Sequence, residues 1–592
     1  MDLNVLIVLI YFCFLIAIGW MFRTFTNNTS DYFRGGGKML WWMVGATAFM
    51  TQFSAWTFTG AAGKAYTDGL AVAIIFVANA FGYFMNYAYF APKFRQLRVV
   101  TVIQAIRMRF GKYNEQVFTW SGMPNSVVSA GIWLNGLAII ASGIFGFDMT
   151  WTIVLTGLVV LIMSVTGGSW AVIASDFMQM VVIMAVTVTC CIVAIIHSGG
   201  VGNILDDFPR DFVIGDNLNY VSILTIWAFF IFVKQFSITN NMLNSYRYLA
   251  AKDSKNAKKA ALLACCLMTL GPVIWFIPPW FLAGQGVDLA AMHPEMGSKA
   301  ADAAYLAFVE LYMPAGMVGL LIAAMFAATM SSMDSGLNRN SGIFVKNFYE
   351  PVLRPDASEK ELVAVSKITS TVFGVLIILF ALFINSLKGL SLFDAMMFAG
   401  AMLGFPMTIP AFLGFFIKKT PDWAGWGTLL VGACVSYVVG FVIGPEHIQD
   451  IFNLDQDLTN REWKDLKVAI ALIGHITLTG GFFVMSQLFY KGLSEERSKD
   501  VDKFFNNLHT PLVNESAEQE VLDNKQRSML GKLIAAAGAF VMLLVVLPNS
   551  MGDRLVFILC GAIILCVGVL LIKANTSNKT PPTSQPAVES ES

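Results

Sequence analysis

Two short stretches of this sequence place oxygen-bearing side chains inside hydrophobic segments. They are MTQFSAW at residues 50–56 and AATMSSMDSGLN at residues 327–338, and each lies in an apolar segment long enough to cross a membrane. Polar oxygens in the middle of a membrane are costly unless they line a cavity or hold an ion. Hydroxyl and carboxylate oxygens are hard donors that suit Na⁺ better than a soft metal. The two stretches therefore predict ion-coupled transport rather than catalysis.

The first stretch carries a polar stripe formed by Thr51, Gln52, Ser54, Thr57 and Thr59. A helix that unwinds at this point would free backbone carbonyls to face a cation. The alternative is a regular helix that packs through small and hydroxyl residues, with each hydroxyl bonded to a carbonyl one turn earlier. The sequence alone leaves both alternatives open.

The second stretch combines hydroxyls with a carboxylate. Ser331 and Ser335 are four residues apart and share one helix face, and Asp334 lies beside that face. The alternative is a cytoplasmic helix end, where Asp334 would be solvated near Arg339.

Two further charged residues lie inside apolar segments. Asp176, in TGGSWAVIASDFMQ, follows a predicted loop at Gly167–Gly168 by about two helical turns. A carboxylate in a membrane span is a functional candidate, although hydrogen bonds can also hold it in a structural role. Lys234 lies in the middle of the span that contains IFVKQFSITNN, and its ammonium requires an anion there. That anion is either a substrate carboxylate or a fixed partner such as Asp394 or Asp176.

The elements that position these residues are transmembrane helices. The chain has 592 residues, of which 56% are hydrophobic and 13% are charged, about half the charged fraction of a soluble domain. Apolar runs of about 20 residues predict an all-α polytopic membrane protein with about fifteen transmembrane helices. Their expected cores are 3–22, 42–65, 69–92, 116–142, 149–166, 169–197, 219–243, 260–283, 305–336, 363–385, 391–417, 423–444, 468–490, 530–547 and 554–572.

Composition argues against several other functions. The formal net charge is zero, which gives no sign of a nucleic-acid partner. The five histidines are scattered and the eight cysteines form no CxxC pair, so neither a metal cluster nor a disulfide framework is expected. No Ser/His/Asp set or phosphate-binding loop supports an enzyme.

The charges of the loops predict the orientation in the membrane. Lys and Arg concentrate in the segments 93–112, 247–259 and 339–360, whereas 204–217 and 445–458 are acidic. The positive-inside rule places the basic loops in the cytoplasm, the N-terminus outside and the C-terminus inside a multi-pass cell-membrane protein. The first apolar run has no basic segment before it, so we expect an uncleaved helix rather than a signal peptide.

A short internal echo suggests a repeat. TQFS at 51–54 recurs as KQFS at 234–237, in the second and seventh predicted spans, which cross the membrane in opposite directions. This arrangement is typical of inverted repeats whose interrupted helices bracket a substrate. The expected domains are a first helix and cytoplasmic loop (1–41), a transport core (42–417), additional helices (418–490), a cytoplasmic linker (491–529), a helical hairpin (530–572) and a disordered tail (573–592).

Several stretches, in this order, resemble the sodium/solute symporter family, which includes bacterial sodium/galactose, sodium/sialic acid and sodium/proline carriers. They are VGATAFMTQFSAWTFTGAAGKAYTDGLA, TGGSWAVIASDFMQ, NSYRYLAAKD, MSSMDSGLNRNSGIFVKNFY and LFDAMMFAGAMLGFPMTIPAFLGFFIKK. The resemblance runs to about residue 490. It implies a LeuT-like core of two inverted five-helix repeats, with additional helices at both ends.

The resemblance also implies the binding sites. A sodium site would use backbone carbonyls of Met50, Phe53 and Ala328 and hydroxyls of Ser331 and Ser332. A second sodium, present in some members, would lie at Asp176, Ser331, Asp334 and Ser335. Asp334 replaces a hydroxyl residue of those members, and it either strengthens the second site or shares a proton with Asp176.

The substrate positions depart from those of the sugar carriers in the family. Trp56 and Thr57 stand where those carriers have a Glu–Gln pair, Lys234 replaces a sugar-contacting Asn, and Ser237 replaces a gating Tyr. The prediction is a monomeric symporter in the lipid bilayer that uses one or two Na⁺ to import a small organic solute, such as a carboxylate or acidic sugar. The alternatives are a sodium/neutral sugar symporter and a transporter-like sensor. The expected substrate-binding residues are Gln52, Ser54, Trp56, Thr57, Lys234 and Ser237.

Overall fold

A computed structural model describes residues 3–22, 29–206, 220–314, 316–387, 391–452, 457–513 and 517–576. The chain divides into two compact units, Met1–Asn514 and Glu515–Ser592. The predicted tail lies outside the described residues from residue 577 onward, as do parts of the two acidic loops.

The described structure is helical, and Met39 and Ala251 form an isolated β-bridge. The α-helices of the first unit are α1 (Leu3–Phe22), α2 (Thr29–Arg34), α3 (Trp41–Met50), α4 (Ala62–Asp68), α5 (Ala73–Met85), α6 (Ala91–Gln96), α7 (Val102–Phe110), α8 (Lys112–Phe145), α9 (Met149–Ser198), α10 (Val201–Asp206), α11 (Tyr220–Thr239), α12 (Tyr246–Leu249), α13 (Ser254–Gly284), α14 (Leu289–Met292), α15 (Ala304–Tyr312), α16 (Met317–Phe344), α17 (Glu359–Ser386), α18 (Leu392–Ala399), α19 (Phe405–Leu413), α20 (Ala424–Tyr437), α21 (Pro445–Phe452), α22 (Asn460–Gly474), α23 (Gly480–Met485) and α24 (Glu495–His509).

Several of these helices are continued by turns of other helix types. Turns of π-helix lie at Thr57–Ala61, Asn86–Phe90, Val345–Leu353, Gly400–Gly404, Val438–Val442 and His475–Thr479. Turns of 3₁₀-helix lie at Gly35–Gly37, Gly69–Val72, Met242–Ser245, Pro294–Ala303, Ser486–Phe489 and, in the second unit, Leu544–Val546. A π-turn winds one extra residue into a wider turn of the helix, and such turns frequently lie at functional sites.

Within the described residues, 12 helices are long and apolar enough to cross a membrane, and two shorter apolar helices cover Met149–Ile162 and Trp227–Thr239. The multi-pass prediction is therefore confirmed. The number of fifteen spans stays a prediction, in part because the second predicted span is interrupted.

The long helix α9 differs from its prediction, because it continues through Gly167 and Gly168, where the sequence predicts a loop. A straight helix of its 50 residues would be about 75 Å long, more than twice the ~30 Å hydrocarbon core. Ser164 and Asp176 would be about 18 Å apart on such a helix. Both nevertheless contact one short stretch of α16, at Asp334 and Ser331. Helix α9 therefore bends between Ser164 and Asp176. Its residues remain helical through the bend, which keeps the backbone hydrogen bonds that lipid cannot replace.

The second predicted span is interrupted at residues 51–54. Helix α3 ends at Met50, and helical structure resumes at residue 55 and runs through Thr57–Ala61 into α4. Turn-like bonds remain across the break, from the Gln52 amide to the Phe49 carbonyl and from the Phe53 amide to the Met50 carbonyl. The break leaves the carbonyls of Met50 and Phe53 available to a neighbouring helix.

The seventh predicted span is interrupted later than the sequence echo suggests. Helix α11 continues to Thr239, so KQFS at 234–237 is helical, whereas TQFS at 51–54 is the break itself. Three asparagine amides donate to carbonyls of the last turn of α11 and so end the helix. They are Asn240 to Phe236, Asn241 to Ser237 and Ile238, and Asn244 to Ile238.

Helix α16 lies at the centre of the first unit. Its most apolar window is 94% buried, and it packs against α1, α8, α9 and α17. The second unit contains α25 (Ala517–Leu543) and α26 (Met551–Thr576), which form an antiparallel hairpin with each other. The predicted linker thus contains α24 and the beginning of α25.

Candidate functional site

The interruption after α3 faces α16 through Ser332. The Ser332 Oγ lies 2.8 Å from the Phe53 carbonyl oxygen and 3.2 Å from the Met50 carbonyl oxygen. One turn earlier on α16, the Thr329 Oγ accepts a hydrogen bond of 3.1 Å from the Ala55 amide. The structure therefore brings together the two stretches that the sequence singles out.

The remaining residues of the first predicted sodium site lie on the same part of α16. Ala328 and Ser331 are fully buried, and the Ser331 hydroxyl has no hydrogen-bond partner within the described part of the chain. An unpartnered buried hydroxyl at Ser331, next in sequence to Ser332 whose own hydroxyl contacts two backbone carbonyls, suits a hard monovalent cation, whose ligands are oxygens. The residues present therefore fit sodium.

Two carboxylates lie on the neighbouring side of α16. Asp176 is fully buried and accepts a short hydrogen bond from Thr47. Its second oxygen has no hydrogen-bond partner among the described residues, although Ser331 and Ser335 lie beside the carboxylate. Asp334 accepts a short bond from Ser164 and is 6% exposed, so it is buried rather than solvated at a helix end. The unsatisfied carboxylate oxygen also fits a cation.

Lys234 is buried, with 2% of its surface exposed, and has no hydrogen bond or ion pair with any residue in the described ranges. A Cβ atom at Gly400 would lie 3.1 Å from the Lys234 Nζ, so the ammonium rests against a helix that lacks a side chain there. Neither predicted fixed partner pairs with it. Asp394 forms an ion pair of 3.1 Å with Lys464, and Asp176 is bonded to Thr47.

Trp56 lies against the same helix as Lys234. Its indole Nε1 donates to the Leu392 carbonyl at 3.1 Å, and its ring stacks on Phe393 with centroids 5.9 Å apart. Phe393 and Gly400 are seven residues apart along the helix that begins at Leu392, which is about two turns. Trp56 and Lys234 therefore contact one side of this helix at two levels.

The other predicted substrate residues differ in availability. Ser54 accepts from the Trp56 amide at 3.3 Å and Ser237 donates to the Val233 carbonyl at 2.8 Å, so both hydroxyls are bonded within their own segments. The Thr57 hydroxyl is buried without a partner among the described residues. Gln52 is half-buried and lines a cavity of about 150 Å³ together with Ser332.

An ionic cluster lies at the Trp56 end of the site. Asp68 pairs with Lys64 and, at 2.8 Å, with Arg461, and the Lys64 ammonium lies 5.3 Å from the Phe393 ring centroid. These contacts join α4, α18 and α22 above the Trp56–Phe393 stack. Between membrane spans near this cluster, burial raises the pKa of Asp302 to about 7, against the lowering effect of Lys299.

Two cavities lie at the opposite end of the site, around Asn244, Arg339 and Asn340, and we call this the hollow end. Besides the 150 Å³ cavity, a cavity of about 240 Å³ extends from Gly400 to Arg339 and Asn340. The two cavities share Asn244 and Ser126. Neither cavity is lined by Trp56, which is buried and stacked on Phe393.

The profile of the sodium:solute symporter family matches residues 32–432, which contain every predicted sodium-binding and substrate-binding residue. This chain belongs to the sodium:solute symporter family. It is a sodium-coupled importer of a small solute and not an enzyme.

Similar proteins agree with this assignment. The symporter is 27% identical over 404 residues to the sodium/glucose cotransporter of Vibrio parahaemolyticus, covering 62% of this chain and 73% of the relative. It is 26% identical over 446 residues to the sodium/sialic acid symporter of Proteus mirabilis, covering 72% and 86% of the two chains. A solved substrate-bound, outward-open Na⁺-coupled sialic acid symporter matches with a TM-score of 0.64 and 22% identity, covering 81% of this chain and 98% of that one. That likeness shows a shared LeuT-like fold.

Sequence reasoning missed several polar residues of the symporter that line or flank the site. Gln235 donates to Asn79 at 3.2 Å beside Lys234, and both amides lie in apolar helices. Arg247 and Arg339 line the cavities at the hollow end. Amides within apolar helices are the signal that would have identified Gln235 and Asn79. Arg247 and Arg339 carry no such signal, because in the sequence they belong to the basic segments 247–259 and 339–360.

Proposed function

We propose that this symporter imports a small organic anion, a carboxylate or an acidic sugar, whose negative charge pairs with Lys234. The observation that carries the proposal is the buried Lys234 ammonium, which has no partner in the described ranges. A buried charge without a partner is costly, and a bound anion would compensate it.

The proposed pocket lies between Trp56 and Lys234. The Trp56 ring, stacked on Phe393, would form the end wall and the Lys234 ammonium would bind the anionic group. The proposed pocket would face the two turns of helix between the Trp56 contact at Leu392 and Gly400, beside Lys234. The further polar groups proposed for the pocket are Gln52, Ser54, Thr57 and Ser237.

We assign the first sodium to the carbonyls of Met50, Phe53 and Ala328 and the hydroxyls of Ser331 and Ser332. This assignment is supported by the distances from Ser332 to two of those carbonyls. Bound sodium would hold the interrupted span against α16 and so pre-form the pocket. Such coupling is reciprocal, so the solute should tighten sodium binding by the same factor.

A second sodium at Asp176, Ser331, Asp334 and Ser335 is part of the proposal. One sodium entering down ~100 mV supplies about 2.3 kcal/mol, and a tenfold gradient adds about 1.4 kcal/mol. Together they support about 500-fold accumulation of a neutral solute. A monovalent anion moves against the potential and returns about 2.3 kcal/mol, which a second sodium would restore.

The proposed orientation places the N-terminus outside the cell and the basic loops in the cytoplasm. The Trp56 end would then face outward and the hollow end inward, which describes an inward-facing state of alternating access. We propose that the chain works as a monomer, with its core at 42–417, accessory helices at 418–490, a linker at 491–529 and a hairpin at 530–572.

Uptake into proteoliposomes tests the substrate class. The panel contains radiolabelled carboxylates, acidic sugars, neutral sugars and amino acids, each with and without a sodium gradient. We expect sodium-dependent uptake of an anion, and Lys234→Ala should raise its half-saturation concentration by about tenfold or more, because a charge-assisted contact is worth about 1.5–3 kcal/mol. Lys360→Ala, at an exposed cytoplasmic position, is the matched control.

Other results separate the alternatives. Unchanged affinity of Lys234→Ala for the transported solute would refute the role of Lys234. Uptake restricted to neutral sugars would favour a neutral sugar symporter. Saturable binding of a solute without uptake would favour a transporter-like sensor.

A further inference from the structure

Three arginines line one small cavity at the hollow end of the symporter. Arg34, Arg247 and Arg339 surround a space of about 40 Å³ beside Tyr246. This volume holds a few water molecules or one small anion, but not a whole organic solute. The adjoining 150 Å³ cavity is also lined by Tyr246, Arg247 and Arg339, so the two spaces share these side chains.

Two of the guanidiniums share the ring of Tyr246. The guanidinium carbon of Arg247 lies 4.6 Å from the ring centroid and that of Arg339 lies 4.9 Å from it. An aromatic ring face attracts a cation, which keeps these two positive groups close to each other. Two like charges held side by side form a site of high positive potential.

The hydrogen bonds of the two arginines go to neutral groups. Arg247 donates to the hydroxyl of Thr51 and, at 2.6 Å, to the amide oxygen of Asn244. Arg339 donates to the Ser126 hydroxyl at 3.0 Å. Within the described ranges, neither guanidinium forms an ion pair with a carboxylate. A guanidinium has five N–H donors, so both retain donors for an anion.

Asp31 lies near Arg34, but in the described ranges no carboxylate pairs with Arg247 or Arg339. Asp176 is bonded to Thr47 and Asp334 to Ser164, and both belong to the proposed second sodium site. They balance the arginines only at long range. Sodium bound at Asp176 would remove that balance, so the arginine-lined cavity would gain affinity for an anion.

We propose that Arg247 and Arg339, with Arg34 beside them, bind a monovalent anion whose affinity rises when sodium is bound. The anion is chloride or a small carboxylate from solution, since the anionic group of the solute itself is assigned to Lys234. The site is separate from Lys234, and its dependence on sodium rests on the second sodium proposed at Asp176 rather than on the proposed substrate.

The test measures sodium affinity of the full chain in nanodiscs. Trp133, which lines the 150 Å³ cavity, belongs to the tryptophan fluorescence that reports binding. Sodium is titrated at constant ionic strength with chloride, with acetate, or with a bulky sulfonate that exceeds the cavity. We expect chloride or acetate to lower the half-saturating sodium concentration by about fivefold or more relative to the sulfonate.

Variants then locate the effect. Arg339→Gln should abolish the anion effect, Arg339→Lys should retain part of it, and Arg354→Gln should leave it unchanged. Arg354 is an exposed arginine that pairs with Glu361 and lines none of these cavities.

The outcomes are distinct. An effect of chloride indicates an inorganic anion, and an effect of acetate alone indicates a small carboxylate. Equal sodium affinity of the wild type in all three anions overturns the proposal, even if Arg339→Gln does not fold. Persistence of the full effect in Arg339→Gln also overturns it. The proposed role of Lys234 is tested separately, by sodium-dependent uptake in Lys234→Ala.

Discussion

At the scale of single residues, the Ser332 hydroxyl connects the two halves of the proposed cation site. It is within hydrogen-bond distance of two carbonyls, one at the end of α3 (Met50) and one within the interruption (Phe53). The site therefore depends on one side chain that holds backbone oxygens of another segment in place. Sequence reasoning reached this arrangement because the residues lie in two recognisable stretches.

Ser332→Ala tests the site directly. It removes one proposed ligand and leaves two buried carbonyls without that partner, so the half-saturating sodium concentration should rise about tenfold or more. Uptake at saturating sodium should be retained. Sodium titration of uptake measures the change, and Thr371→Ala, at an exposed position on α17, serves as control. An unaltered sodium dependence would remove Ser332 from the site.

The roles of other residues could not be predicted from the sequence, because they depend on which distant side chains lie beside them. Lys234 is recognisable in the sequence as a charge inside a span. Only the structure shows that Asp394, one of its two candidate partners, pairs with Lys464 instead. Arg339 looked like the end of a polar stretch, whereas its guanidinium lies beside a tyrosine from a distant segment. Long-range side-chain partners have no local pattern.

At the scale of helices, the interruptions and bends were the least predictable features. The sequence left open whether the polar stripe at 51–54 is a break or a regular helix, and the structure has a break there, whereas α11 continues through KQFS until Asn240 and Asn241 end it. Gly167 and Gly168 suggested a loop, yet the helical hydrogen bonds of α9 continue through them. Apolar length therefore predicts that a segment is buried in the membrane more reliably than where its helix ends.

The ionic cluster at the Trp56 end belongs to this scale, because it joins α4 to α22. Asp68→Asn would weaken its pairs with Lys64 and Arg461 and so favour opening at that end. The opposite cavity should then be less accessible. We expect the maleimide labelling rate of Thr408→Cys, which lines the 240 Å³ cavity, to fall severalfold.

The parent chain, which carries only the native cysteines, is labelled in parallel, and its labelling rate is subtracted. Glu495→Gln, which breaks the exposed pair with Lys499, is the matched control for the loss of a carboxylate. A labelling rate that is unaffected by Asp68→Asn would show that the cluster does not hold this end closed.

At the scale of the whole molecule, the predicted site residues all belong to the first unit, and the family profile ends at residue 432. The second unit is held together by its own contacts. A Cβ atom at Gly538 would lie 2.4 Å from the Leu565 amide nitrogen, and one at Gly568 would lie 2.4 Å from the Ala535 amide nitrogen. Small residues at these positions allow the close backbone packing that joins helices in lipid.

Removal of residues 515–592 should therefore preserve sodium-dependent uptake within about twofold of the full chain, because the proposed ligands and their supporting contacts remain. Uptake per reconstituted molecule is the measurement, and a full chain that carries Gly552→Ala, at an uncrowded position of α26, controls for changes in the hairpin. A complete loss of uptake by a well-folded truncated protein would assign the hairpin a part in transport.

The π-turn at Gly400–Gly404 has a consequence for how this chain tolerates insertions and deletions. A π-turn winds more residues into one turn than an α-helix does, so removing one residue from it would restore regular α-helical winding and leave the helix on its two sides facing almost the same neighbours. The Trp56 contact at Leu392 precedes the turn, and Gly400, against which the Lys234 ammonium rests, begins it. A deletion after Gly400 within the turn should therefore be tolerated, whereas a deletion of one residue between Phe393 and Ala399 would rotate Gly400 by about 100° relative to the Trp56 contact.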